Sequence, residues 1–407
     1  MPGKRGSWSP APACNPTGWP DWREFRRITE RKTLYLLSIG LPIVLFLLLA
    51  VIYRNGVVRN IPVAICDEDH SELSRLVVRS VEGTSSMSVV QYAQSMDEIR
   101  EGMLTGTIEA GFYIPRRFEA DVKGGGYSTV VVVKNTFNLI IGNTILKDAS
   151  TILKTVSGGA MLKKLRSKGM SAEQAMNVVN PIRLDTQVLY NANYSYLTYL
   201  IPPLLAVMLQ MIIMVAGVLV MSSEFTHATF TALLETGNDN LFAVFFGKAV
   251  PHLAIHSASA LGIVGIMLPL FGIEINGSTV AVLGLLVYFV AASLFLALAI
   301  SSLMHDQQKA TEVAIFLVTP AFLFSGLTFP AWAMPTVTVW YAQTMPFTPV
   351  LTAFLKLSQM NTPLRYVVPE MIHLSIFLVV SLAVGLVAIH LQIVRHRAAL
   401  KRGEEAR

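Results

Sequence analysis

The longest apolar segments of the chain set the strongest limit on its fold. Leu34–Tyr53 has no charged residue over about 20 positions, which at about 1.5 Å per helical residue is enough to cross the hydrocarbon core of a bilayer. With 53% hydrophobic and 14% charged residues, the composition excludes an ordinary soluble protein. The chain is predicted to be an α-helical polytopic membrane protein with six transmembrane helices. The other five segments are Leu197–Met221, Ala249–Phe271, Val280–Leu303, Thr311–Phe329 and Val367–Ile393.

The basic residues gather beside the first and last apolar segments, in residues 1–33 and 394–407. The formal net charge of +6 therefore indicates membrane insertion and not nucleic-acid binding. By the positive-inside rule, both basic tails are cytoplasmic. The expected location is the cell inner (plasma) membrane. A signal peptide is not indicated, because its apolar region would be shorter and would precede a small-residue cleavage site.

Residues 54–196 have the composition of a soluble α/β domain, inserted between the first two transmembrane helices. Ile61–Cys66 is a predicted strand, and Val130–Val133 is predicted to be a buried strand between Thr107–Ile114 and a long helix over Phe137–Ser167. Helix starts are indicated at Ser71, at the capping boxes Ser95-x-x-Glu98 and Ser171-x-x-Gln174, and at Pro115, expected in the first turn of a short helix. The orientation above places this domain outside, in the periplasm. Cys14 and Cys66 are then on opposite sides of the membrane and cannot pair.

A polar insert, residues 222–248, separates the second and third apolar segments. Within it, Phe225, Thr229, Ala232 and Leu233 recur at helical spacing, and residues 236–240 form a cluster of helix-stop signals. The pattern predicts a short helix lying against the membrane surface. An ordinary solvated loop is the alternative that this pattern leaves open.

The end of the fifth apolar segment carries a second ordered string, Ser325-Gly326-x-x-Phe329-Pro330-x-x-x-Met334-Pro335. Glycine and proline at these positions predict a helix break near the outer leaflet. Trp332, Trp340 and Tyr341 are then placed to lie at the headgroup level, and short surface or re-entrant helices are expected over residues 330–366.

If a membrane protein of this kind moves a solute, its energy source can be examined in the sequence, through nucleotide-binding motifs and titratable residues within the spans. The chain has no G-x-x-x-x-G-K-[ST] loop, so it does not cradle a nucleotide phosphate by itself. A gradient-driven transporter needs titratable groups within its spans, and no carboxylate lies deep in the predicted ones. His252 and His256 share one helix face and could contribute to a metal or proton site, but two ligands are too few for a metal. Three function classes therefore stay open: a transporter driven by a separate ATPase, a gradient-driven transporter and a membrane-anchored sensor that binds a ligand outside. No inner signalling domain is evident for a sensor.

Taken together, these residues resemble the membrane subunit of ABC-2 type exporters. In that family the loop between the second and third spans often reads R-E-x-E-x-G-T-x-E-x-L and ends in Gly-Lys. Glu224, Thr229, Leu233, Gly247 and Lys248 match this pattern, whereas Thr226, Ala228 and Thr231 stand in place of Glu, Gly and Glu. Such departures suit the less typical half of a two-permease pair. The Ser325–Pro335 string resembles the end of the family's fifth span, and IPVAICDEDHSELSR resembles the external domain of one branch.

The resemblance implies a permease that is not itself an enzyme. A cytoplasmic ABC ATPase would bind ATP and Mg, leaving no cofactor in this chain, and would couple to Glu224, Thr229, Phe230, Leu233, Gly247 and Lys248. A second permease half, identical or different, and a periplasmic adaptor complete the expected partners besides the lipid bilayer. Because the spans offer few charges, the expected cargo is a hydrophobic or amphipathic compound, either a drug or lipid-like. Candidate cargo contacts are Met208, Gln210, Met211, Met214, Phe316, Phe322 and Phe324.

Overall fold

The computed structural model describes residues 24, 36–181, 187–191, 194–270 and 272–405. The chain divides into two compact units, an α/β unit of Asn55–Tyr196 and a helical unit made of the chain up to Arg54 and from Leu197 onward. Apart from Glu24, the predicted tail of residues 1–33 lies outside the described residues, and so does Cys14. Helix α1 (Leu36–Ile52) belongs to the helical unit and precedes the α/β unit in the chain.

The α/β unit is built around a four-stranded sheet with the order β2-β1-β3-β4. Strand β1 pairs in parallel with β2 and β3, so that Val63 lies between Val89 and Ala110, and β4 pairs antiparallel with β3. The strands are β1 (Ile61–Asp67), β2 (Met87–Tyr92), β3 (Ala110–Ile114) and β4 (Val131–Lys134). The helices are α2 (Glu72–Glu82), α3 (Met96–Leu104), α4 (Phe118–Gly124), α5 (Leu139–Ser167) and α6 (Ala172–Val179).

Most helix starts of the α/β unit follow the predicted capping chemistry. Ser71 and Ser171 each form a reciprocal capping box, which confirms both sites as N-caps. Ser95 accepts from the Glu98 N–H, but the Glu98 carboxylate accepts from the Gln94 N–H, so only the N-cap half of the predicted box forms.

Two predictions for this unit are wrong. Pro115 is not in the first turn of a helix, because Arg117 adopts a left-handed backbone (φ 64°) and α4 starts only at Phe118. The predicted buried strand Val130–Val133 is instead the edge strand β4, with Val131 exposed. A run of consecutive valines indicates a buried strand only when both faces are covered, and an edge position removes that condition.

The helical unit consists of long apolar helices connected by short helical segments. They are α7 (Tyr196–Thr226), α8 (Phe230–Thr236), α9 (Leu241–Ile266), α10 (Thr279–Leu303), α11 (Gln307–Val318), α12 (Ala321–Phe324), α13 (Thr336–Gln343), α14 (Phe347–Ser358) and α15 (Val368–Glu405). The end of α9 continues into a π-helical turn, Ile263–Met267, which is followed by a short helical turn, Leu268–Leu270. Single 3₁₀ turns precede α13 and α15, at Ala331–Ala333 and Leu364–Tyr366.

Four helices among the described residues are long and apolar enough to cross a membrane, namely α7, α9, α10 and α15. The apolar helices α1 and α14 are shorter within the described range. The fifth predicted helix, Thr311–Phe329, is not continuous: α11 ends at Val318, and α12 begins after Pro320. Proline cannot donate the intrahelical hydrogen bond and its ring clashes with the preceding turn, which accounts for the break.

The helices pack closely where small residues meet. A Cβ added to Gly217 of α7 would lie 2.6 Å from the Cβ of Ala297 on α10, so glycine sets the distance between these two helices. Their contact is extended by Ser301 of α10, whose hydroxyl accepts from the N–H groups of Met221 and Ser222 and donates to the Val218 carbonyl. Helices α7 and α10 therefore form a tightly fixed pair.

The predicted basic tail of residues 394–407 is not a separate segment. Helix α15 continues through it as far as Glu405, giving one helix of 38 residues. Arginine and lysine are good helix formers, and no proline or helix-stop cluster follows Ile393. A drop in hydropathy therefore marks the end of the apolar stretch here and not the end of the helix.

Candidate functional site

The polar insert folds differently from the single short helix that its periodicity predicts. Helix α7 extends to Thr226, so Glu224 and Phe225 belong to its last turn. Ala228 then takes a left-handed conformation (φ 55°), which ends one helix and permits α8 to begin at Phe230. Phe225 and Phe230 meet across this turn with ring centroids 4.8 Å apart. The predicted common face is thus divided between two helices.

Helix α8 has one buried and one exposed side. Phe230, Leu233 and Leu234 are at most 5% exposed and belong to the core of the helical unit. Thr231, Ala232 and Glu235 are exposed, which places Ala232 opposite to its predicted side. The predicted stop signals are confirmed, because α8 ends at Thr236 and the Asn240 side chain caps α9. The exposed side of α8 is a small, mostly uncharged surface held from behind by apolar packing.

A cluster of buried charged side chains lies directly behind α8. Lys248 is in the second turn of α9, and its Nζ donates to Glu224 Oε1 at 2.6 Å and to a carboxylate oxygen of Glu24. The hydroxyl of Thr229 donates to the other oxygen of Glu224. Lys248, Glu24 and Glu224 are each only 1% exposed. We call Glu24, Glu224 and Lys248 the ion cluster; it joins α7, α9 and the N-terminal segment at one point.

Two histidines extend this polar region along α9. His252 Nε2 lies 3.3 Å from Glu24 Oε1, and the His252 and His256 rings are 6.1 Å apart at an interplanar angle of 26°. Both histidines are at most 2% exposed. Glu24 and Glu224 lie outside the predicted spans, so the expectation that no carboxylate lies deep within those spans stays a prediction. The structure adds that both carboxylates contact α9, through Lys248 and His252. In the described part of the chain, no three His, Cys, Asp or Glu side chains are placed to hold a metal ion.

The end of α15 and the α10–α11 connection also contact the insert. His396 of α15 lies edge-on to Phe230 at 5.6 Å, and its Nε2 is 3.0 Å from the Thr231 hydroxyl. Arg397 pairs with Asp239 at 3.0 Å. The His305 ring is tilted by 49° against the Phe225 ring at a centroid distance of 4.9 Å, and its Nε2 lies 3.1 Å from Gln392 Oε1. The segment that follows α7 is therefore held by the last helix as well as by the ion cluster.

The predicted coupling residues are brought together, but most of them are internal. Glu224, Phe230, Leu233, Gly247 and Lys248 are all buried. Thr229 is partly exposed and bonds to Glu224. These buried residues therefore support α8 from inside the helical unit. Only the exposed side of α8, with Thr231, Ala232 and Glu235, is accessible to a partner.

A cleft of about 790 Å³ opens beside this site, between the end of α7 and the start of α11. Leu219 and Thr226 contribute from α7, and residues 305–308 with Thr311 and Glu312 contribute from the α11 side. Asp306 caps α11 through the N–H groups of Gln308 and Lys309. Most of its lining residues are polar, Asp306 and Glu312 among them, but the greater part of the surface that they expose to the cleft is apolar.

The Ser325–Pro335 string lies at the end of the helical unit away from α8. Gly326 has φ 91°, a conformation that favours glycine, and the Ser325 hydroxyl bonds back to the Phe322 carbonyl at 2.7 Å, which confirms the predicted break. Phe329 is half exposed and Pro330 and Met334 flank the 3₁₀ turn, while Pro335 precedes α13. Trp332 and Trp340 are 89% and 73% exposed, as a lipid-facing position requires.

The candidate cargo contacts do not share one surface. Gln210 and Met214 are fully buried inside the helical unit. Met211 and Phe316 are 40% and 74% exposed, and Met208, Phe322 and Phe324 are partly buried. Burial at the first two positions indicates a packing role within this chain. Cargo contact at the exposed positions stays a prediction.

Long apolar helices, a small α/β unit and a buried ion cluster behind an exposed short helix define a polytopic helical membrane protein. The profile described as "ABC-2 family transporter protein" matches residues 32–387. The chain therefore belongs to the ABC-2 transporter family and is a membrane permease. Two relatives from Escherichia coli, strains K12 and O157:H7, are both described as a probable multidrug ABC transporter permease, YbhR. Each is 24% identical over 309 residues, which cover 76% of this chain and 79% of the relative.

Proposed function

We propose that this chain is the membrane subunit of an ATP-driven ABC-2 exporter and that a separate ABC ATPase docks on α8. The two-sided character of α8 carries the proposal. Thr231, Ala232 and Glu235 are available to a partner, whereas Phe230 and Leu233 anchor the same helix in the core. A force applied by the partner to the exposed side is therefore passed to α7 and α9 instead of being absorbed by a mobile loop.

The proposed orientation places α8 and both chain ends in the cytoplasm and residues 54–196 outside the inner membrane. Six crossings are made by α1, α7, α9, α10, the broken α11–α12 segment and α15. A second permease half, identical or different, completes the pathway, and ATP with Mg is bound by the ATPase alone. A periplasmic adaptor is a further proposed partner of the external unit.

The proposed cargo is a hydrophobic or amphipathic compound that enters from the inner leaflet or its surface. The cleft beside α8 supports this class, because its lining surface is mostly apolar and because α7, which contributes Leu219 to it, also carries the exposed Met211. The described multidrug role of the two relatives agrees with it. A strongly charged soluble cargo would need many compensating charges along the spans.

Co-purification with the ATPase tests docking most directly. Because Glu224 and Phe230 are buried, substitutions there would test folding, so the exposed edge is changed instead. The variant Ala232→Arg with Glu235→Lys should reduce ATPase recovery at least about tenfold while the permease still inserts and folds. Glu274→Lys reverses an exposed charge away from α8 and is the matched control, with unchanged recovery. Equal recovery with both variants would contradict docking on α8.

A second candidate, a proton-driven transporter, is favoured by one observation, the buried Glu24–His252–His256 series. Transport into vesicles by the purified complex separates the two. ATP-driven export requires hydrolysable ATP and survives collapse of the proton gradient, and the opposite result would support the proton-driven alternative.

Reporter fusions test the proposed orientation. A reporter that is active only outside the cytoplasm should work near Gly125 and Asn276 and fail near Asn238 and Gln307. Activity near Asn238 would overturn the proposed orientation.

A further inference from the structure

Helix α15 contacts both the α8 region and the segment around α13 and α14. It runs without interruption from Val368 to Glu405. Between Glu370 and His396 it spans about 39 Å along its axis. Its only proline is Pro369 in the first turn, where the helix tolerates it. The helix therefore has the length and continuity to link the two ends of the helical unit.

At the α8 end, α15 makes specific polar and aromatic contacts with the polar insert. His396 contacts both Phe230 and Thr231, and Arg397 pairs with Asp239 just beyond α8. These contacts hold both ends of the short helix. A displacement of α8 must either break them or move the end of α15.

At the far end, α15 is held by a second set of contacts. Glu370 pairs with Lys356 of α14 at 2.6 Å, and the pair is mostly shielded from solvent. His373 Nε2 lies 2.9 Å from the carbonyl oxygen of Gln343, the last residue of α13. Helix α15 therefore contacts α8 near one end and the short helices α13 and α14 near the other.

Close contacts at two positions between its ends hold α15 against α9 and α10. A Cβ at Gly385 would lie 2.9 Å from the Phe245 ring of α9 and 3.6 Å from the Ala299 Cα of α10. Near the far end, the Tyr288 hydroxyl of α10 bonds to Ser375 at 2.6 Å. Such contacts oppose bending and leave axial shift or rotation as the motions by which α15 can respond.

We propose that α15 mechanically links α8 to the α13–α14 segment, with His396 and Arg397 as positioning residues at one end and Glu370 and His373 at the other. The inference concerns the permease itself and goes beyond ATPase docking. Loosening either end lowers the stability of the other, since a coupling free energy is reciprocal. Two merely local sets of contacts would not have this property.

The test uses the full chain alone in lipid nanodiscs, with backbone hydrogen exchange read separately at each end. In the variant His396→Ala with Arg397→Ala, exchange over residues 331–358 should become about fivefold faster or more, although no substituted residue touches that segment. The matched control is His390→Ala with Arg395→Ala, which removes the same two residue types from exposed positions on α15. The control should leave residues 331–358 unchanged.

The reciprocal variant is Glu370→Gln with His373→Ala, read over residues 228–240, where exchange should also accelerate about fivefold or more. Exchange in the middle of α10 reports general destabilisation and should stay unchanged in both variants. Effects confined to the substituted end would overturn the proposal, as would equal effects of the control.

No ATPase is present in this experiment, so its outcome is independent of docking. Equal ATPase recovery with the α8 variant and its control, together with intact reciprocal coupling, would refute the proposed partner site and keep the link. Intact docking without reciprocal coupling would refute the link alone.

Discussion

Replacing Lys248 by methionine tests the ion cluster with little change in side-chain volume. The lysine ammonium lies between Glu24 and Glu224, and all three side chains are 1% exposed. Methionine fills a similar space with an apolar, flexible chain, so that the cavity contribution is small. The main contribution to the change in stability is then the loss of a buried cation from between two buried carboxylates.

The expected loss follows from that burial. Removing one partner of a buried ion pair costs about 3–5 kcal/mol, because the remaining charge is left in a medium of low polarity. At about 1.4 kcal/mol per factor of ten, the folding equilibrium should shift more than about 100-fold. A second change, Glu224→Gln, removes one of the stranded charges, so the double variant should be more stable than Lys248→Met alone.

Reversible unfolding in mixed micelles, followed by tryptophan fluorescence, measures the difference. Lys356→Met is the control, because the Lys356 side chain is 31% exposed and its pair with Glu370 is partly screened. The control should lose about 1 kcal/mol or less. Equal losses at Lys248 and Lys356 would refute the reasoning that the cluster is a buried, energetically coupled unit.

Three further predictions concern single positions. Gly217→Val should lose about 1–3 kcal/mol in the same assay, because the new Cβ meets Ala297, whereas Gly284→Val, with open space around it, should lose less than half as much. Ala228→Gly should gain about 0.5–1 kcal/mol because glycine adopts the left-handed turn without strain, while Ala232→Gly, inside α8, should lose a similar amount. In the α/β unit, burial raises the pKa of Asp69, but hydrogen bonds from the Ser71 side chain and the Glu119, Arg117 and Phe118 N–H groups outweigh it and lower the pKa. Its stabilisation is present above the unfolded-state pKa of about 3.9 and lost as pH falls through the lower folded value, so Asp69→Asn should accelerate exchange around α4 at pH 7 and flatten its acid dependence.

Local chemistry in the α/β unit could be predicted from sequence, because its signals act over three or four residues. Ser71 and Ser171 cap helices through neighbouring groups, and Asn138 similarly starts α5. Whether a strand lies at the edge or in the centre of a sheet depends on pairing with distant parts of the chain. The local sequence of β4 does not contain this information, and its valines therefore lead to the wrong prediction of a buried strand. Strand β2 was not predicted, since Met87–Tyr92 alternates weakly and lacks a strong turn signal.

The ion cluster could not be predicted, because its members are about 200 residues apart along the chain or separated by a helix break. A Gly-Lys pair preceding an apolar segment was interpreted as the end of a loop. Helix α9 in fact begins at Leu241, where Asn240 caps it, and this moves Lys248 from the membrane surface into buried packing. The available signal was the apolar run Leu241–Phe246, which is helical in spacing and continuous with the following span.

Two of the three departures from the family loop pattern have a common physical effect. Thr226 and Thr231 stand where glutamates are usual; Thr226 donates to the Ser222 and His305 carbonyls, and the Thr231 hydroxyl meets His396. Neutral hydroxyls can lie in these contacts without the desolvation that a carboxylate would require. Ala228 keeps the left-handed turn that glycine would form more easily. In this chain, therefore, the loop positions that carry charge in typical family members connect α8 to its own permease, and Glu235 is left as the acidic group on the exposed edge of α8. For the ATPase docking that we propose on α8, this arrangement favours recognition by shape and apolar contact over recognition by charge.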